Sequence, residues 1–151
     1  MAIPSYRVFF DTSVYIAALL SPKGAAGELI RLAEARAIAM VVSERVVIES
    51  DEVLSAKFPS LIQDSRLLWK NLAPEITPEP DKKTLTQFKN CLPSADAAIL
   101  GAAYKAKIDA FVTWNTRDFM KAGIKKLVDF PIVVPGDCLD LFRKWLEPYL
   151  E

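Results

Sequence analysis

The stretch Arg7-Val-Phe-Phe-Asp11, running straight into Thr12-Ser-Val-Tyr-Ile-Ala-Ala-Leu-Leu20, decides the fold. It reads as a buried strand that ends on an acid, followed by an apolar helix. The same alternation continues along the chain. Gly24 to Arg36 reads as a second helix with Leu29, Ile30 and Leu32 facing in, and Ala37 to Val42 as a strand. Helices follow at Ser43 to about Lys57, Pro59 to Leu72 and Lys82 to Asn90, with Pro74 to Pro80 as a loop or edge strand. Ser94 starts an Ala-rich helix reaching about Lys107, and Ala110 to Thr113 is a strand. Thr116 to Ala122 reads as a short helix that Gly123 can end, Pro131 to Val134 as a strand, and Asp137 to Leu146 as the last helix. Continuously apolar strands that alternate with helices imply a parallel sheet covered on both faces. The expected fold is α/β: a three-layer α/β/α sandwich around a central parallel sheet.

The chain has 151 residues, with 19 Lys plus Arg against 19 Asp plus Glu, no His and a formal net charge of zero. At roughly 100–200 residues per domain, residues 1–151 are expected to form one domain. A hydrophobic fraction of 52% is ample for a core, which excludes a disordered chain. The missing His excludes a Ser–His–Asp or Cys–His catalytic unit, an imidazole-pair ribonuclease and His-ligated zinc. Hydrolytic chemistry must then run on carboxylates, and a hard metal ion is the expected helper. Neutral net charge argues against coating nucleic acid by bulk electrostatics but permits a local basic patch. Cys91 and Cys138 have no CxxC or metal-ligand spacing and read as buried thiols in a reducing compartment, with a disulfide as the minor alternative. Asp11 interrupts the apolar Val8–Leu20 run and no basic segment precedes it, so a signal peptide is not expected. No other run approaches the ~18 apolar residues of a membrane span. The expected address is the cytoplasm, without a membrane.

In such a fold the functional edge is the carboxyl end of the strands, above all where strand order reverses. Asp11 ends the first strand, and Thr113 ends a later one with Asn115 and Asp118 directly after it. Helices that follow parallel strands begin at this edge. A helix that feeds a strand begins there too, because it runs antiparallel to it. Asp96, in the first turn of the helix before Ala110, and Glu49, less than two turns into the helix after Val42, therefore belong at the same edge. Glu49 lies one turn after Val46 and one turn before Val53, and Asp96 shares its face with Ile99, Leu100 and Ala103. An inward carboxylate is costly and is seldom left without a cation or several donors. Oxygens converging at one edge suit Mg²⁺ or Mn²⁺.

Taken singly, each acid also has a plain structural reading. Asp11 is a good N-cap for the helix it precedes. Asp96 complements the dipole of a helix capped by Ser94, and Asp118 is an N3 acid after an Asn115 cap. Glu49 pairs with Arg45 one turn back, or snorkels to solvent. These readings do not explain why all four acids reach one end of the sheet.

Asp11-Thr-Ser in VFFDTSVYIAALL, Glu49 in SERVVIESDEVL, Asp96 in PSADAAILGAA, and Thr113 and Asp118 in FVTWNTRDF together resemble the PIN domain, and most nearly the VapC-type toxins of toxin–antitoxin pairs. The resemblance runs from about Val8 to Val134. It implies a PIN-like fold and a Mg²⁺- or Mn²⁺-dependent endoribonuclease that cleaves single-stranded RNA to 5′-phosphate and 3′-hydroxyl ends. It also implies Asp11, Glu49, Asp96 and Asp118 as the catalytic, metal-binding quartet, with Ser13 and Thr113 as supporting hydroxyls. Asn115 stands where many members carry Asp, the acid here being displaced to Asp118. Asp11 and Asp96 would hold the metal most directly, and Glu49 and Asp118 through water or with a second ion. The expected partners are the RNA, an antitoxin protein and a second copy of the chain in a homodimer.

RNA must also be held. From Lys105 to Lys126 there are six basic residues against two acids. Arg117 and Lys121 begin beside the acids and are the candidates for phosphate contacts, whereas Lys105 and Lys107 belong at the opposite edge. Trp114 either stacks on a base or packs in the core, with the core favoured because aromatics are mostly structural. The Phe142, Trp145 and Leu146 stripe reads as core or as a homodimer surface. Two other functions stay open: a non-catalytic PIN-like module that binds RNA or protein, and an Asp-dependent phosphotransfer domain. Haloacid-dehalogenase-like phosphatases want a second Asp where Ser13 stands, and a receiver domain needs an acceptor Asp and a late Lys that are not convincingly placed.

Overall fold

A computed structural model describes residues 3–150. Among these residues five strands form one sheet: β1 (Arg7–Phe10), β2 (Ala39–Ser43), β3 (Glu75–Thr77), β4 (Ala110–Val112) and β5 (Ile132–Val133). Every pairing is parallel, and the order is β3-β2-β1-β4-β5. Successive strand residues face opposite sides of a sheet, yet Val8, Phe9 and Phe10 are each 0% exposed, as are Ala110, Phe111 and Val112. Both faces are therefore covered, as continuously apolar parallel strands require.

The cover comes, among the described residues, from α1 (Thr12–Leu20), α2 (Ala25–Glu34), α3 (Glu44–Lys57), α4 (Ile62–Leu72), α5 (Lys82–Lys89), α6 (Ser94–Lys105), α7 (Thr116–Phe119), α8 (Ala122–Lys125) and α9 (Pro135–Leu146). The three-layer α/β expectation is borne out. Ser43 caps α3 by accepting a 3.2 Å hydrogen bond from the Val46 amide, and Asp81 caps α5 by accepting one of 2.8 Å from Thr84. Tyr15 locks α1 to α4: its ring stacks on Trp69 at 4.0 Å and its hydroxyl lies 2.7 Å from Ser65 Oγ. The Pro74–Pro80 stretch supplies the edge strand, whose Glu75 takes both ends of the Arg7 guanidinium at 2.8 Å. No helix among the described residues is long and apolar enough to cross a membrane.

Three expectations need correction or refinement. Thr116 to Ala122 is not one helix ended by Gly123. α7 stops at Phe119, Lys121 is extended at φ −66° and ψ 145°, and α8 restarts with Gly123 inside it. Phe119 and Ile124 are both fully buried. On a continuous helix of ~3.6 residues per turn they would face roughly 140° apart, so the break lets both reach the core. Cys138 is buried but Cys91 is exposed, because it lies in the turn after α5 where Leu92 takes the inward position. Of the α9 stripe Phe142 is core, whereas Trp145 and Leu146 are half-buried at its margin, with Trp145 5.1 Å from Tyr6 and 5.9 Å from Phe142.

Candidate functional site

Strand order reverses between β1 and β4, because the chain leaves β1 for β2 and β3 on one side and returns for β4 and β5 on the other. The carboxyl ends of strands at such a point open a crevice. Phe10 pairs with Val112, and the Asp11 amide donates to the Val112 carbonyl at 3.0 Å, so Asp11 and Thr113 become neighbours. Asp11 is only 4% exposed. Its Oδ2 accepts hydrogen bonds from Ser13 Oγ and Thr113 Oγ1, both at 2.7 Å. These hydroxyls are fixed in turn: Ser13 Oγ accepts from the Trp114 amide at 3.0 Å, and Thr113 Oγ1 from the Asn115 amide at 2.9 Å. Each hydroxyl thus donates once and accepts once. Asp11 occupies the N-cap position of α1, but its side chain makes no capping bond. The cap reading does not account for it.

The other acids approach from three helices. Glu49 is half-buried in the second turn of α3, Asp96 lies in the first turn of α6, and Asp118 lies in α7. Arg45 does not pair with Glu49; it reaches Glu79 at 3.8 Å. Pro93, not Ser94, holds the cap position of α6, so no side chain caps that helix. Asn115 does cap α7, accepting from the Asp118 amide at 3.4 Å. Its Nδ2 also makes long contacts to Asp118 Oδ2 at 3.3 Å and Asp96 Oδ2 at 3.5 Å, and so spans the two acids.

The electrostatics tie the four together. Burial raises the Asp11 carboxyl above its ordinary pKa, and the Ser13 and Thr113 hydroxyls pull it partly back. Burial also raises Glu49, with the Thr12 hydroxyl offsetting part of the rise and the Asp11 charge adding to it. Asp96 is pushed up to about 6, first by burial and then by the charges of Asp11, Asp118 and Glu49. One carboxylate therefore feels the other three. Lys121 reaches Asp118 at 3.7 Å, and Asp11, Glu49 and Asp96 have no ion pair among the described residues. Like charges held together in a half-dry pocket favour a cation.

The donors are all oxygens, which suits a hard divalent ion. Among the described residues no three acidic, His or Cys side chains form a ready-made ligand group for one ion. Mg²⁺, however, is commonly held by one or two carboxylates, with waters and phosphate oxygens completing its shell. Asp11 and Asp96 could hold such an ion directly, with Glu49 and Asp118 reaching it through water. Thr12 Oγ1, near enough to Glu49 to hold its pKa down in part, makes no well-formed hydrogen bond, a shortfall that such a shell would relieve.

Residues 7–117 match the family model of the PIN domain. The chain belongs to the PIN-domain family. PIN domains are generally nucleases and typically use divalent metal ions. The match includes Asp11, Glu49 and Asp96 and ends at Arg117, next to Asp118. No curated protein matches this PIN domain in sequence. In structure it is similar to a chain of VapBC2 from Rickettsia felis bound to a DNA fragment from their promoter. The identity is 14%, the TM-score 0.60, and the alignment covers 83% of this chain and 96% of that one. At that identity the likeness speaks for the fold.

Two features of this PIN domain were not read from the sequence. Thr12 carries no sequence signal beyond its place between Asp11 and Ser13, because a Thr at a helix start is ordinary. Trp114 is the larger departure. It is not core but 48% exposed, because β4 ends at Val112 and Thr113 is the last residue the layers cover. Arg117 and Lys121 are exposed on the same stretch, while Lys105 pairs with Asp81 at 3.8 Å away from it.

Proposed function

We propose that this chain is a divalent-metal-dependent endoribonuclease that cleaves single-stranded RNA, and that it is the toxin of a toxin–antitoxin pair. The observation that carries the nuclease reading is the geometry at the β1–β4 switch point, where Ser13 and Thr113 hold the buried Asp11 and Asn115 spans Asp118 and Asp96; in keeping with it, Asp96 is raised by burial and by the three other carboxylates. A first-turn acid that merely complemented a helix dipole would be pulled the other way. The family membership supports nuclease chemistry, and the likeness in fold to a VapBC2 chain supports the antitoxin partner.

In this reading Asp11 and Asp96 hold the cation, and Glu49 and Asp118 act through water. The bound ion supplies neutralisation of phosphate charge and acidification of water. The chain supplies the positioning. Ser13 and Thr113 fix one oxygen of Asp11 and leave the other oriented by the same two bonds. Asn115 sets the spacing of Asp96 and Asp118. Arg117, with no ion pair among the described residues, meets a phosphate of the RNA, and Lys121 meets another when it leaves Asp118. No imidazole is present to move a proton.

Incubation with single-stranded RNA in Mn²⁺, Mg²⁺ or EDTA tests the reading. Cleavage with either ion and none in EDTA is expected. Cleavage that persists in EDTA, or RNA that is bound but never cut, overturns it. Co-purification with the product of the adjacent reading frame tests the antitoxin partner.

A further inference from the structure

Of the three tryptophans, two have aromatic partners. Trp69 stacks on Tyr15 at 4.0 Å, and Trp145 lies 5.1 Å from Tyr6. Trp114 has none among the described residues, and nearly half of it is open to solvent. Its main chain, by contrast, is held firmly. The Trp114 amide donates to Ser13 Oγ at 3.0 Å, and that same hydroxyl donates to Asp11 Oδ2 at 2.7 Å. On the other side the Asn115 amide is bound to Thr113 Oγ1 at 2.9 Å. The ring is thus rooted between two residues of the network that fixes the buried carboxylate.

A large flat apolar group exposed on a fixed root offers a ready surface to a partner with a flat apolar face. Unpaired nucleobases have such faces, and stacking on an aromatic ring is tolerant of sequence. Duplex bases spend their faces on one another. Arg117, three residues on, adds a positive charge for the adjoining backbone. Resting on the nuclease reading, we propose that Trp114 is a stacking platform for one unpaired nucleobase beside the scissile phosphate, and that it contributes to selection of single-stranded over duplex RNA.

The test is a double-mutant cycle between the indole and the base. Steady-state cleavage in Mn²⁺ is measured for the full chain and for Trp114→Ala and Trp114→Phe. The substrates are a single-stranded oligoribonucleotide and the same strand with one abasic nucleotide, scanned across the positions flanking the cut. Trp114→Ala is expected to raise KM about tenfold, the scale of one lost base stack, with kcat and thermal midpoint little changed. Trp114→Phe should recover most of that loss. At one flanking position the abasic strand should weaken the unmutated chain by a similar factor and leave Trp114→Ala unaffected. Equal abasic penalties in both proteins at every position, or an unchanged KM in Trp114→Ala, overturn the proposal while leaving nuclease activity intact. If Trp114→Ala cleaves normally but loses the antitoxin, the ring belongs to a protein interface instead. If the unmutated chain cleaves no RNA with any divalent ion, the nuclease reading and the stacking platform fall together.

Discussion

Thr113 Oγ1 donates to Asp11 Oδ2 at 2.7 Å across 102 residues of chain. The bond exists because β1 and β4 pair in parallel with Phe10 opposite Val112, so the residues just past the two strand ends meet. Thr113→Val keeps the buried shape and removes the donor. Leaving a buried carboxylate short of a donor costs about 1–3 kcal/mol, so the thermal midpoint should fall. Cleavage should fall as well, by about tenfold or more, if one oriented oxygen of Asp11 is needed for chemistry. Thr113→Ser should restore both. A Thr113→Val protein with unaltered melt and rate would mean that the hydroxyl holds nothing of consequence.

Asp11→Asn and Asp96→Asn separate a structural role from a metal-binding one. Asn caps a helix about as well as Asp, and a lost first-turn charge costs only ~0.3–1 kcal/mol. In a pocket of mutually repelling carboxylates, neutralising one should leave metal-free stability unchanged or raise it. Cleavage should drop by orders of magnitude, and the rise in melting temperature on adding Mn²⁺ should shrink, since that rise reflects binding to the folded state. Melts with and without Mn²⁺, run beside a cleavage assay, decide between the roles. Two variants that cut normally and keep the full Mn²⁺ shift would make the acids structural.

The raised carboxyls predict an unusual pH dependence for the metal-free protein. Asp96 titrates at about 6 when folded against an ordinary 3.8. Between those values the folded state holds more protons than the unfolded chain, so stability falls as pH rises through that window and stays low above it. Asp11 and Glu49 are raised as well and act in the same direction. Glu75, lowered by Arg7, and Asp81, lowered by the Thr84 amide, act oppositely, but only in more acid solution. In EDTA the protein should be more stable at pH 5 than at pH 7, on the order of 1 kcal/mol after screening in a half-open pocket. Asp96→Asn should flatten that slope. Stability that climbs from pH 5 to pH 7 in EDTA would show that the carboxylates do not oppose one another.

Arg117 and Lys121 are not equivalent. Lys121 is drawn to Asp118 at 3.7 Å, whereas Arg117 has no ion pair among the described residues. Arg117→Glu should therefore weaken RNA binding more than Lys121→Glu, and the double variant should reduce the slope of affinity against salt concentration. The fold should be little affected, since both side chains are exposed. Filter binding across a salt series measures this. Equal affinity and slope in all four proteins would place the RNA path on another surface.

How much of this was legible in the sequence follows from which forces are local. β1 and α1 could be read almost to the residue, because a strand buried on both faces must be apolar throughout and an acid at its end marks where the cover stops. The placement of Asp11, Glu49, Asp96 and Asp118 toward one edge followed from the direction of parallel strands and their helices, which is a property of the fold class. The tertiary structure alone decided the rest. It turned Arg45 away from Glu49 toward Glu79, gave Asn115 its span between Asp96 and Asp118, and split α7 from α8 so that Phe119 and Ile124 could both be buried. It also left Trp114 in solvent two residues past the end of β4. Periodicity tells which face of an element is apolar, but whether a residue beyond its end is covered depends on segments distant in the chain. A side chain's partner is likewise chosen by whatever the packing brings within reach.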